Sequence, residues 1–218
     1  SLDGPVKQGA FLRGDSLMLR DERERLICQL GDLRLRGRHN VANVLAAACC
    51  ALAGGTDIEA VRQVATTFAG VPHRLELVRR LGEVQWVNDS IATSPERVLA
   101  ALRAFEEPIV LLAGGRDKHL DWQDWATLTL RKARVVIAFG ELRPIAERAL
   151  AEAQAREPEA AGALPLVACD TMDEAVALAA RLARPGDVVL LSPGGTSFDA
   201  FADFEARGER FRELVDAL

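Results

Sequence analysis

Four stretches of this sequence place hydroxyls, amides or a cation just past an apolar run or at the opening of a helical pattern, where a folded chain can hold a small anion. Val188, Val189, Leu190 and Leu191 form a continuous apolar run that ends in Ser192-Pro193-Gly194-Gly195-Thr196-Ser197. The run reads as a strand covered on both faces, and the breaker, the two glycines and the hydroxyls read as a ligand loop. Asp89, Ser90, Thr93 and Ser94 follow strand-like residues 84–88, precede a helical pattern, and are expected to project together into one crevice. Lys118 follows the apolar residues 109–113 and the pair Gly114-Gly115, with Arg116 and His119 near it. Asn40 and Asn43 open a small-residue helical pattern, three positions apart and so on one side. In an open α/β sheet, ligands settle past the carboxyl ends of strands, where free backbone N–H groups favour carboxylates and phosphates. Taken singly, each stretch also has a plain structural alternative: an N-cap, a hydrogen-bonded histidine or a solvated lysine.

The elements that must position these residues follow from periodicity. Residues 1–38 alternate short apolar and polar stretches, which predicts strands at 10–12, 17–19, 26–28 and 33–35 joined by Gly-Asp turns. A small-residue helix is predicted over 40–52, with Val44, Ala47, Ala48 and Ala51 on one side, stopped by Gly54-Gly55. A second helix is predicted to about Thr67, capped by Asp57 and burying Ile58, Val61 and Val64. Gly and Pro within 68–74 predict a domain junction. Beyond it lie two strands turning at Gly82, then an alternation: helix 94–105, strand 109–113, helix 122–131, strand 135–139, helix 142–157, strand 164–168, helix 171–183, strand 188–191 and helix 199–217, with Asp199 as its cap. Such an alternation predicts a mainly parallel sheet with helices on both faces, α/β and Rossmann-like in shape. The sequence has no GxGxxG, so a nicotinamide or flavin site has little support.

Composition excludes several classes. The 218 residues are 49% apolar and 27% charged, which suits a globular protein of one or two domains. A net charge of −5, without a basic stripe interleaved with aromatics, points away from nucleic acid and towards small molecules. No apolar stretch has the ~18 residues of a membrane helix and no cleavable leader opens the chain, so a cytoplasmic protein is expected. Cys28, Cys49, Cys50 and Cys169 form neither a disulfide framework nor a CxxC metal site.

Several of these stretches, taken together and in order, resemble the Mur ligases. The carriers are Gly37-Arg38-His39-Asn40-Val41-Ala42-Asn43, His73-Arg74, the run from Asn88 to Pro95, Gly114 to Lys118, and SPGGTSFDxFxxFxxRGxxF from Ser192 to Phe211. The ending resembles that of members which add D-glutamate, and no DNPR-type motif for a diamino acid occurs. The resemblance is weak over residues 1–36 and strong from Gly37 onward.

The resemblance implies roles residue by residue. Asn43 would contact the adenine of ATP, Arg74 would reach the nucleotide, and Asp89 would bind the ribose hydroxyls. Lys118 would pair with a carboxylate of the incoming D-glutamate, with help from Thr93. Ser197 and the backbone N–H of Phe198 would hold its carboxylate, and Phe204 would wall the pocket. Many members carry Lys where this sequence has Ile91, so any role of that amine is absent here or supplied elsewhere.

The activity implied is ATP-dependent ligation of D-glutamate to UDP-N-acetylmuramoyl-L-alanine through an acyl phosphate, in peptidoglycan precursor synthesis, by a monomer without nucleic-acid or membrane partners. The chain begins at Ser1 and holds no GxxxxGK run followed by Ser or Thr. The resemblance therefore implies that the phosphate loop and the Mg2+ ligands precede Ser1. Residues 1–72 would be the end of a central ATP-binding domain, and 73–218 a C-terminal Rossmann-like, amino-acid-binding domain. Two alternatives are a noncatalytic α/β module holding a nucleotide or acidic metabolite, and a Mur ligase for another amino acid.

Overall fold

Alternating apolar residues near the start of the chain build an antiparallel meander of β1 (Gly9–Arg13), β2 (Ser16–Arg20) and β3 (Glu24–Gln29). In the computed structural model, which describes residues 1–157 and 164–218, this meander belongs to a unit spanning Ser1–Gly70; a second unit spans Val71–Leu218. The predicted strand at 33–35 does not form. The chain instead enters a 3-10 turn at Leu30–Asp32, and the Asp32 carboxylate accepts from the Gln29 N–H at 2.9 Å, which ends the strand pairing.

Helices α1 (Arg38–Ala53) and α2 (Ile58–Thr67) complete the first unit. Asp57 caps α2 as expected, accepting from the Glu59 N–H at 3.2 Å. The expected faces hold at Ala48 and Val61, with Val44, Ala51 and Ile58 partly buried against the same core, but not at Ala47 and Val64. Val41, Leu45 and Ala48 of α1 and Val61 and Ala65 of α2 pack on Leu17, Leu19 and Ile27, while Ala47 is exposed and Val64 is 62% exposed. Helix α1 is apolar around more than one face, so spacing alone did not choose the side it turns to the sheet.

The second unit is a six-stranded sheet in the order β4 (Glu76–Leu81), β5 (Val84–Asn88), β9 (Val188–Gly194), β6 (Ile109–Gly114), β7 (Ala133–Phe139), β8 (Leu166–Cys169). Only β4 pairs antiparallel, through the hairpin at Gly82; the other neighbours are parallel. Within β6, Ile109, Leu111 and Ala113 face α3 (Pro95–Leu102), α4 (Gln123–Lys132) and α5 (Arg143–Arg156), while Val110 and Leu112 face α6 (Met172–Leu182) and α7 (Phe204–Asp216). Burial on both faces is why these strands read as unbroken apolar runs. Pro95 at its first turn starts α3, which stops at Leu102 rather than 105, and Phe105 remains in the core at 1% exposure.

Helix α7 starts later than predicted. Its cap is Asp203, whose carboxylate accepts from the Ala206 N–H at 2.7 Å, and residues 198–200 form a turn instead. Asp199 is therefore not the cap. Its carboxyl lies against Gly140, whose missing Cβ would come within 2.4 Å of an Asp199 oxygen. Among the described residues no helix is long and apolar enough to cross a membrane.

Candidate functional site

Strand β9 returns last in sequence yet lies between β5 and β6, so the loops following these strands meet over the carboxyl end of the sheet. This is the switch point at which open α/β sheets bind ligands. The β6 and β9 loops are zipped by two backbone bonds, Arg116 N–H to the Thr196 carbonyl at 2.9 Å and the reverse at 2.8 Å. The glycine pairs make that approach possible. A Cβ on Gly115, which sits at φ 99°, would come within 2.1 Å of the Thr196 oxygen, and one on Gly195 within 2.7 Å of the Gly114 oxygen. Arg116 also makes a half-exposed two-bond pair with Glu141 at 2.8 and 2.9 Å, and this holds the Glu141 carboxyl below its usual range.

Lys118 and Thr93 are brought together from two loops: the Lys118 ammonium donates to the Thr93 hydroxyl at 3.4 Å. Ser197 is buried at 2%, with its carbonyl accepting from Ala200 and Phe201 N–H groups, while Phe198 stands 63% exposed. Phe204, the first residue of α7, is half-buried and meets the His73 ring edge-on at 6.2 Å.

Beneath this crevice the structure departs from the expected projection of Asp89 and Ser90. Both are buried, at 4% and 0%. The Asp89 carboxylate accepts from the Leu75 N–H at 3.2 Å and from the Ser192 hydroxyl at 2.8 Å, and burial pushes its carboxyl up to about 7. Ser90 donates to the Phe204 carbonyl at 2.7 Å and accepts from Arg207 at 3.0 Å. Ile91, half-buried, donates its N–H to the His73 carbonyl at 3.2 Å.

The segment carrying Arg74 lies against the same loop. Arg74 is exposed between His73 and Leu75, which both hold left-handed backbone at φ 63° and 47°. The His73 ring is 5% exposed, with Nδ1 facing the Asn88 amide at 2.9 Å and Nε2 facing Glu209 at 3.5 Å. Gly208 makes room for that ring, since a Cβ there would fall 2.1 Å from Nδ1. Arg74 and Asp89 are thus neighbours, and the guanidinium pulls the Asp89 carboxyl down against the larger effect of burial.

In the first unit, Asn40 and Asn43 divide the work of one helix turn. Asn40 is buried and donates to the Arg36 carbonyl at 2.7 Å, while Asn43 is exposed and bonds back to Asn40 at 3.4 Å. Asn43 borders an apolar groove of roughly 300 Å³, within the size range of small-ligand pockets, lined by Leu35, Val44, Ala47 and Phe68 among others.

Arg207 was missed as an individual residue, although the RG pair of the final motif signals it. It is fully buried, donates to the Ser90 hydroxyl and carbonyl and to the Gly195 carbonyl, and burial lowers it to about 10. Among the described residues no group of three or more His, Cys, Asp or Glu side chains is placed to hold a metal ion.

Comparison with known proteins matches residues 73–195 to the family model described as Mur ligase, glutamate ligase domain. The chain is 40% identical over 214 residues to a UDP-N-acetylmuramoylalanine–D-glutamate ligase from Acetivibrio thermocellus, covering 98% of this chain and 46% of that one. It is 45% identical over 213 residues to the protein of that name from Symbiobacterium thermophilum, covering 97% and 45%. The chain thus spans a little under half the length of these relatives. Among solved structures, a pseudomurein peptide ligase type C from Methanothermus fervidus superposes with TM-score 0.68 at 16% identity, over 98% of this chain and 42% of that one. UDP-N-acetylmuramate–alanine ligase from Thermotoga maritima gives 0.65 at 17%, over 97% and 47%. With a family model matching more than half of its residues and a fold shared with those ligases, the chain belongs to the Mur ligase family.

Proposed function

We propose that this chain is the amino-acid-binding portion of an ATP-dependent ligase that joins D-glutamate to UDP-N-acetylmuramoyl-L-alanine in peptidoglycan precursor synthesis. The observation that carries this is the meeting of the Lys118 ammonium with Thr93 at the mouth of a crevice whose third wall is the Ser197 loop. D-Glutamate brings two carboxylates and one amine. Lys118 and Thr93 take one carboxylate, the Ser197 hydroxyl and the Phe198 N–H hold the other end, and Phe204 closes the side. The amine is thereby left free to attack.

In the reaction, the alanine carboxylate of the UDP-sugar substrate takes the terminal phosphoryl group of ATP, giving an acyl phosphate and ADP. The amine of D-glutamate then adds to the acyl carbon, and the tetrahedral intermediate expels phosphate to leave the amide. The protein's part is positioning and charge stabilisation. Arg74 would meet nucleotide phosphate, a task its planar guanidinium suits through paired hydrogen bonds. Asn43 beside its apolar groove suits an adenine, whose faces are apolar and whose edge bonds an amide. Asp89 would serve the ribose through the loop it braces, since its carboxyl is buried against the Leu75 N–H and the Ser192 hydroxyl. Residues 1–72 fit the end of an ATP-binding domain and 73–218 the amino-acid domain. Among the described residues no group of three or more His, Cys, Asp or Glu side chains could hold Mg2+. A cytoplasmic monomer without nucleic-acid or membrane partners completes the proposal.

The test is a phosphate-release assay on the polypeptide containing this chain, with ATP, D-glutamate and UDP-N-acetylmuramoyl-L-alanine. Lys118→Ala is expected to raise the Michaelis constant for D-glutamate at least about tenfold, as the loss of a charge-assisted contact of roughly 1.5–3 kcal/mol requires. An unchanged constant would sink the assignment. Phosphate release that D-glutamate fails to support and another amino acid does would favour a ligase for that amino acid, and nucleotide binding without turnover a noncatalytic module.

A further inference from the structure

We propose that Asp117 and Trp122 are positioning residues for Lys118: a carboxylate–indole hydrogen bond closes the loop that carries the ammonium and aims it at Thr93. The proposal rests on Lys118 being the cation that meets the amino-acid carboxylate.

Lys118 is exposed on residues 115–122 between β6 and α4, and its long stem gives the ammonium a wide range of positions unless the backbone beneath it is fixed. The next residue, His119, holds left-handed backbone at φ 59°, and its exposed ring lies 3.9 Å from an Asp117 oxygen, too long a contact to fix the turn by itself. The groups that fix it converge on Asp117. One of its carboxylate oxygens accepts from the Leu120 N–H at 3.4 Å and from the Trp122 indole N–H at 3.0 Å, bridging residues 118 and 119 from their far side. Hydrogen bonds to a charged acceptor are the stronger kind.

Trp122 can serve as the fixed end because it is itself immobilised. It is 6% exposed and meets Trp125 edge-on at 5.1 Å. Its ring also occupies the space beside Gly194, where a Cβ would come within 2.8 Å of it. The Gly194 N–H in turn donates to the Ala92 carbonyl at 2.8 Å, one residue from Thr93. A closed circuit therefore runs from Thr93 through Ala92, Gly194, Trp122 and Asp117 to Lys118 and back to Thr93. An apolar residue at 122 would fill the same space without holding Asp117.

The experiment uses the 218-residue chain and its amide and indole resonances. Lys118→Met removes the ammonium and is expected to shift the Thr93 amide. Asp117→Ala is expected to shift it in the same direction and to speed solvent exchange of the Trp122 indole and Leu120 amide at least about tenfold, whereas Asp117→Asn, which keeps the acceptor oxygen, stays within about threefold of the parent. Adding Lys118→Met to Asp117→Ala should move Thr93 no further. Should Asp117→Ala not fold, Trp122→Phe, which keeps the ring and removes the donor, is expected to give the same Thr93 shift. The proposal is overturned if Lys118→Met leaves Thr93 unmoved, if breaking the indole bond leaves it unmoved, or if the exchange rates do not change. Titration with D-glutamate supplies an independent arm: a parent chain whose Thr93 and Ser197 amides ignore it counts against the proposed function, while the exchange rates and the Thr93 shift still decide the positioning.

Discussion

Arg207 donates to both the hydroxyl and the carbonyl of Ser90, at 3.0 and 2.9 Å, and so joins the start of α7 to the loop that follows β5. A third bond at 3.2 Å reaches the Gly195 carbonyl in the loop after β9. A buried cation among neutral acceptors costs desolvation, which its lowered pKa reflects. Removing it leaves several buried acceptors without a donor. Arg207→Met is expected to lower unfolding stability by about 3 kcal/mol or more. Urea unfolding checks this, and an unchanged midpoint would mean that the cation is dispensable to the fold and serves only its charge.

Gly115→Ala should be among the most damaging single-methyl changes in the second unit. The residue sits at φ 99°, and the added Cβ would come within 2.1 Å of a backbone oxygen that cannot swing away, since Thr196 is bonded to Arg116 in both directions. A loss of about 2 kcal/mol or more is expected, together with weakened D-glutamate binding as the two loops part. A variant as stable as the parent would mean that the bridge yields easily.

Asp89 predicts a pH dependence. Its folded value of about 7 lies above the ordinary 3.8 because burial penalises the charged form. Between these values the folded chain keeps a proton that the unfolded chain releases. The contribution of Asp89 to stability is therefore complete below the lower value and is lost as pH rises through the upper one. Relative to Asp89→Asn, the parent should lose up to about 4 kcal/mol of stability over that window. Parallel pH profiles for the two proteins would contradict a neutral, buried carboxyl.

The 218-residue chain contains no GxxxxGK run followed by Ser or Thr, the arrangement that cradles a triphosphate with backbone N–H groups and a lysine. By itself it is expected to bind ATP with a dissociation constant above about 1 μM and to release no phosphate, as calorimetry and a phosphate assay would report. Submicromolar binding, or release that depends on both other substrates, would overturn this.

The sequence alone determined the order and type of the elements in the second unit. Strands buried on both faces must be continuous apolar runs, and amphipathic helices must separate parallel strands. That Lys118 and Thr93 would serve one ligand was implied by the resemblance, and their positions past strand ends only allowed it, since such residues share one edge of the sheet. The tertiary structure alone decided what lies beneath that edge. Whether Asp89 and Ser90 face the crevice or the core depends on how the chain turns after β5, and Arg207 gains its meaning only when α7 folds back under Ser90 and Gly195. The glycine pairs tell the same story. Gly114-Gly115 and Gly194-Gly195 mark turns in the sequence, but only the packed loops show that each makes room for a neighbour: Phe139 and Thr196 at the first pair, Trp122 and the Gly114 carbonyl at the second. Local periodicity fixes where a chain can be buried; which partner buries it is set by contacts between residues far apart in sequence, and no local pattern records those.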